Sequence, residues 1–158
     1  FFSNFIFCQK KESAIALILG VKNFNIYVNS SGNKVKFKIQ QIEEDYYELE
    51  LIKKDKNRFF ANLNCVLCNE KNKFGWVEIK NVEIGLRNSN NNFINIYPKP
   101  HSKYFKKTIK IHTESVIANV LDFKDNWLKV SFILEGKKTI GWLAPENQCK
   151  NFYTMCTG

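Results

Sequence analysis

Lys34-Val-Lys-Phe-Lys-Ile39 sets Val35, Phe37 and Ile39 on one side of an extended chain and three lysines on the other. Successive side chains of a strand point to opposite faces, so this is a strand with one face buried and one in water. Working outward, Asn25-Ile-Tyr-Val28, Tyr46-Tyr-Glu-Leu-Glu-Leu-Ile52, Thr108-Ile-Lys-Ile111 and Trp127-Leu-Lys-Val-Ser-Phe-Ile133 are equally rich in β-branched and aromatic residues. Between them lie the turn-forming clusters Asn29-Ser-Ser-Gly-Asn33, Lys53-Lys-Asp-Lys-Asn57, Arg87-Asn-Ser-Asn-Asn-Asn92 and Glu135-Gly-Lys-Lys138. No stretch carries a sustained apolar stripe of helical period. The expectation is an all-β protein.

The chain also repeats itself. Asn25-Ile-Tyr27 recurs as Asn95-Ile-Tyr97, and Gly75-Trp76-Val77 recurs as Gly141-Trp142-Leu143, at offsets of 70 and 66 residues. Between them, Asp55-Lys-Asn-Arg-Phe-Phe60 matches Lys124-Asp-Asn-Trp-Leu128, which pairs Phe59 with Trp127 at an offset of 68. Three matches in one order at a nearly constant offset indicate a duplication. The expected division is an N-terminal segment over 9–23, a divergent first unit over 24–84, a second unit over 85–149 and a tail over 150–158. A unit of this size is marginal alone, since it buries only about 60% of its chain surface. Contact between the units and a disulfide in each would offset that weakness.

Composition narrows the class. The 158 residues are 44% hydrophobic and 25% charged, which fits a globular protein and excludes a disordered tail or a collagen-like fibre. The net charge of +9 comes from 24 basic residues, of which only Arg58 and Arg87 are arginine. Phosphate and base edges are read best by the bidentate arginine fork, and the lysines are scattered, so nucleic acid is not an expected partner. The opening Phe1-Phe2-Ser3-Asn4-Phe5-Ile6-Phe7-Cys8 is too short to span a bilayer, which takes about 20 apolar residues. Residues 1–8 fit the end of a secretory signal, cleaved after Cys8. Acylation of Cys8 is disfavoured by the bulky Phe7 before it. Export is the expectation, to the periplasm, cell envelope or outside.

Without Cys8 the cysteines number four: Cys65, Cys68, Cys149 and Cys156. An even set in a small exported chain predicts disulfides, with three connectivities open. The spacings favour Cys65 with Cys68 and Cys149 with Cys156. A four-cysteine zinc site is the rival, although a six-residue gap suits it poorly. A redox Cys-x-x-Cys lacks the surrounding βαβ pattern it would need.

The order of motifs in the second half resembles bacterial SH3-like domains. The residues that carry the likeness are the strand Phe93-Ile-Asn-Ile-Tyr97, the loop Pro98-Lys-Pro-His-Ser102, the strand Ser115-Val-Ile-Ala-Asn-Val120, the turn and strand Asp125-Asn-Trp-Leu-Lys-Val130, and Thr139-Ile-Gly-Trp-Leu143. The tail from Pro145 to Cys156 is similar to one on some exported members. The first half departs from the pattern, with Phe59-Phe60 in place of the Trp and an insertion over 62–72. The resemblance implies two small SH3-like barrels in tandem, with Trp127 at a groove position. Gly75 and Gly141 would allow strands to approach closely, and Trp76 and Trp142 are expected in the core.

No phosphate loop, nucleophile elbow or His-Glu-x-x-His is present. The acidic Glu43-Glu44-Asp45 is expected to be a solvated turn. His101 and His112 have no evident nucleophile to serve, and neither cofactor nor metal is expected. The sequence therefore suggests a non-enzyme of the cell envelope that binds a peptide or peptidoglycan-type ligand, or an envelope protein. The expected contacts are Tyr97, Tyr104, Asp125 and Trp127 in the second unit and Tyr27, Asp45 and Phe59 in the first. The alternatives are an assembly protein without a small ligand, and a thiol or metal protein using Cys65 and Cys68.

Overall fold

The computed structural model describes residues 13–19, 23–40, 46–66, 71–87, 93–102, 106–110 and 116–150. Among them the regular structure is strand, apart from two single 3-10 turns. Six strands come first: β1 (Ala14–Ile18), β2 (Asn23–Tyr27), β3 (Val35–Gln40), β4 (Tyr47–Asp55), β5 (Arg58–Cys65) and β6 (Lys73–Glu78), followed by a 3-10 turn at Ile79–Asn81. Six more follow: β7 (Glu83–Leu86), β8 (Phe93–Tyr97), β9 (Lys107–Lys110), β10 (Val116–Lys124), β11 (Trp127–Leu134) and β12 (Lys137–Leu143). A second 3-10 turn at Pro145–Asn147 then leads into the two-residue β13 (Gln148–Cys149). The all-β expectation holds. Strand β1 lies inside the 9–23 stretch that the sequence set apart, and it pairs with β4 from Ala14↔Leu51 to Ile18↔Tyr47.

The strands form one antiparallel sheet in the order β3-β2-β6-β5-β4-β1-β7-β10-β11-β12-β8-β9. Counted outward from the β1–β7 junction, the two sides have the same order, each strand on one side matching the strand six places later on the other. The duplication inferred from short motifs is therefore present in the topology. Among the described residues the strands join in one continuous sheet that ends at β3 and β9, rather than in two separate sheets. The physical reason is β7, whose backbone groups serve both halves. One edge of β7 pairs with β10 from Glu83↔Asn119 to Leu86↔Val116. It also meets β1 at Leu17↔Glu83 and β13 at Gly85↔Cys149 and Leu86↔Gln148.

Side-chain alternation fills a core that runs through both halves. Val82, Ile84 and Leu86 are buried beside Leu17, Ile18 and Leu49 from the first half and Val120, Leu128 and Val130 from the second. Phe59 of β5 meets Phe123 of β10 edge-on at 5.8 Å, and Lys54 reaches Asp122 at 3.3 Å, so both contacts join the halves. The half-exposed ion pair adds little, about 0–1 kcal/mol. The apolar burial carries the junction.

Matching irregularities recur in each half. β4 is bulged against β5 between Leu51 and Lys53, and β10 against β11 between Val120 and Asp122. A Cβ added at Gly75 would overlap Ile26 Cγ2, and one at Gly141 would overlap Ile96 Cγ2 and lie 3.0 Å from the Tyr97 carbonyl. These are the close approaches expected of the two glycines. Cys65 and Cys149 are buried and disulfide-bonded, which removes both sulfurs from thiolate chemistry. Cys68, Cys156, residues 1–8 and most of the tail lie outside the described residues.

Two predictions follow from this packing. Gly75→Ala and Gly141→Ala should each lose about 1–3 kcal/mol of stability, because the added methyl overpacks an isoleucine; urea unfolding reads the loss, and an unchanged midpoint would show that the approach is slack. Half-buried Glu83 has its carboxyl pushed above the ordinary value by desolvation, with the Leu19 N–H opposing in part. A raised folded-state value means that the stability Glu83 contributes is full in acid and is lost as the pH climbs through that value. Glu83→Gln should flatten that fall between mildly acidic and neutral pH and raise the neutral-pH melting temperature.

Candidate functional site

The second half gathers three of its four expected contact residues around one groove. Trp127 opens β11, whose alternate residues Leu128, Val130 and Phe132 enter the core, so the indole falls on the opposite face and stays half-buried. Tyr97, the last residue of β8, meets it edge-on with ring centres 5.1 Å apart. The chain then turns through Pro98 to His101, whose positive φ of 57° swings its ring to within 5.3 Å of the indole. Asp125 occupies the tight turn between β10 and β11 with a φ of 54°, and its carboxylate lies 3.1 Å from His101 Nε2. Histidine and aspartate tolerate the left-handed region better than most residues, and strain held there is common at binding sites.

Glu146, in the 3-10 turn after β12, and Lys106 complete the groove, which has a volume of about 340 Å³ and is also lined by Ser102. Burial, with the Glu146 charge adding to it, raises the Tyr97 phenol above its ordinary value, so the hydroxyl stays protonated. The result is an aromatic floor with Glu146 and Lys106 at its rim and the Asp125 carboxylate held by His101. Such a surface suits an extended segment with an apolar or cationic group, through ring stacking and cation–π attraction. Tyr104 and Asp45 lie outside the described residues, as does the acidic cluster that contains Asp45.

The first half is arranged differently. Phe59 is fully buried and is a core residue, not a groove aromatic. Strand register gives the reason. Ala61 faces Gly75 and Val130 faces Gly141, which aligns Ala61 with Val130 and hence Arg58, not Phe59, with Trp127. One residue of slip moves a side chain to the other face. Arg58 lies 3.5 Å above the Tyr27 ring, as Trp127 lies against Tyr97, and Tyr27 is buried beneath it. Trp76 is buried as expected, but Trp142 is only half-buried, paired across strands with Lys129 and Tyr97.

Among the described residues no group of three or more His, Cys, Asp or Glu is placed to hold a metal ion. No helix there is long and apolar enough to cross a membrane. His101, Lys106, Glu146 and Arg58 were not singled out as contacts from sequence. The signal available was positional: Arg58 follows the turn Lys56-Asn57, whose counterpart is Asp125-Asn126, while His101 and Glu146 lie within turns.

No protein-family profile matches the chain, and no curated protein does. Among solved structures, that of NlpC2 from Trichomonas vaginalis is similar with a TM-score of 0.34 at 14% identity, covering 88% of this chain and 48% of that one. The chain thus spans about half the length of that protein.

The two roles separate by stability. Phe59→Ala should cost about 3–5 kcal/mol, as for other buried aromatics, whereas exposed His101→Ala should stay within about 0.5 kcal/mol of the parent. Thermal melts of both variants check this; a mild Phe59→Ala would contradict its place in the core.

Proposed function

We propose that this chain is a non-catalytic binding module of the cell envelope, each half an SH3-like unit, that holds an extended peptide segment over Tyr97 and Trp127. The observation that carries the reading is the open groove in which Tyr97, His101 and Trp127 form one aromatic surface edged by Glu146 and Lys106, with Asp125 bonded to His101. A peptide laid over such a floor gains from ring contact, while Glu146 offers a partner to a free amine and Lys106 one to a carboxylate. The ligand class that fits is a cell-wall stem peptide with a diamino residue, or a basic segment of a partner protein. The repeated strand order, with glycines at matching close approaches, supports the tandem reading. The disulfides at Cys65 and Cys149 support an oxidising compartment, and with it export.

Binding of amine-bearing wall peptides by calorimetry tests the assignment. Trp127→Ala should weaken binding about tenfold or more, the scale of a lost aromatic anchor, with a nearly unchanged melting temperature. Full affinity in a folded Trp127→Ala protein would overturn the site. Absence of any saturable binding by the parent would favour an assembly role instead.

A further inference from the structure

We propose that the first half carries an oxyanion-binding site centred on Arg58, at the position equivalent to the aromatic groove of the second half. The turn Lys56-Asn57 matches Asp125-Asn126, and Lys56 has the same positive φ, 49° against 54°. Arg58 stands where Trp127 does, and Lys80 of the first 3-10 turn stands where Glu146 does in the second. Three equivalent positions thus change from Asp, Trp and Glu to Lys, Arg and Lys. The backbone is repeated and the charge is inverted.

Arg58 is the observation that turns this comparison into a site. The residue is only 8% exposed; Asp55 and Glu78 stand opposite it on the neighbouring strands, but Glu78 is ion-paired with Lys80 and Asp55 accepts from Ser30. Its Nη1 donates to the carbonyls of Asn29 at 3.0 Å and Gly32 at 2.6 Å, while Tyr27 covers one face of the guanidinium. Nε and Nη2 have no acceptor among the described residues. Both groups remain accessible to water, and a fixed guanidinium with unused N–H groups matches the fork geometry of phosphate and carboxylate.

These groups border a cleft of about 890 Å³ between the halves. Lys56, Lys80 and Lys138 line it with Arg58, and Ser31 and Ser131 add hydroxyls. Glu78 is the one acid in its lining and lies 3.1 Å from Lys80 Nζ, while Asp55, beside Arg58 in the sheet, accepts from Ser30. The lining therefore keeps a positive excess. Its size suits an anion larger than a single phosphate, such as a phosphorylated or carboxylated sugar. Wet lysines at the rim would draw it in and weaken with salt.

Titration of the intact protein with inorganic pyrophosphate and, separately, with citrate at low ionic strength tests the site, read by calorimetry and by the Nε–H resonance of Arg58. Saturable one-to-one binding that moves this resonance is expected, tighter for pyrophosphate if the natural ligand carries phosphate and tighter for citrate if it carries carboxylates. Arg58→Gln should weaken it about tenfold or more, the value of one charge-assisted contact. Lys56→Glu/Lys80→Glu, both on exposed side chains, should do the same and serves if Arg58→Gln fails to fold. Trp127→Ala should leave the affinity unchanged, which separates this site from the aromatic groove. Failure of both anions to saturate, or parental affinity in the lysine double variant, would overturn the proposal.

Discussion

Everything in this fold depends on how β7 shares its backbone groups. A strand has two edges, and Glu83–Leu86 gives one to β10 and divides the other between β1 and β13. Four residues therefore connect both halves and dock the C-terminal β13. The backbone N–H of Val120 to Val82 O at 2.8 Å and that of Arg87 to Asn147 O at 2.8 Å extend the same junction beyond the strand ends. With Val82 and Ile84 fully buried, neither half can lose this strand without exposing apolar surface and unpaired backbone groups at once.

That constraint leaves the grooves free to diverge. Their frames are fixed by backbone features common to both halves: a positive-φ turn, a bulge in the strand before it, a glycine under an isoleucine, and a 3-10 turn after the sixth strand. None of these depends on the side chains that point into the groove. Replacement of Trp127 by its counterpart Arg58 changes what the surface attracts without altering the path of the chain. An aromatic surface and a buried guanidinium with lysine neighbours can thus rest on the same frame.

Strands with strict alternation were legible from the sequence, as were the glycine–tryptophan pairs whose bulk and lack of Cβ imply close packing. β1 was not, because Ala14-Ile-Ala-Leu-Ile18 is buried nearly throughout and shows no alternation to mark it. The groove of the second half was largely legible, since Tyr97, Asp125 and Trp127 flank recognisable turns. His101 was missed as a contact because only the fold of the proline loop brings it to Trp127. The first-half groove was misplaced by one residue. Phe59 is the chemically natural match to Trp127, but register depends on the Ala61–Gly75 pairing, which local similarity does not reveal. In the sequence Arg58 stands out only as one of two arginines, and a count of charge is blind to burial.

Amide hydrogen exchange under native conditions tests the sharing of β7 most directly. The account predicts that the slowest amides of β1, β7 and β10 open with a single free energy, equal to that of global unfolding, because the strand cannot leave one half while the other stays folded. Exchange of β1 and β4 amides at a clearly lower free energy, with β7 and β10 still protected, would show that the first half opens alone and would contradict it.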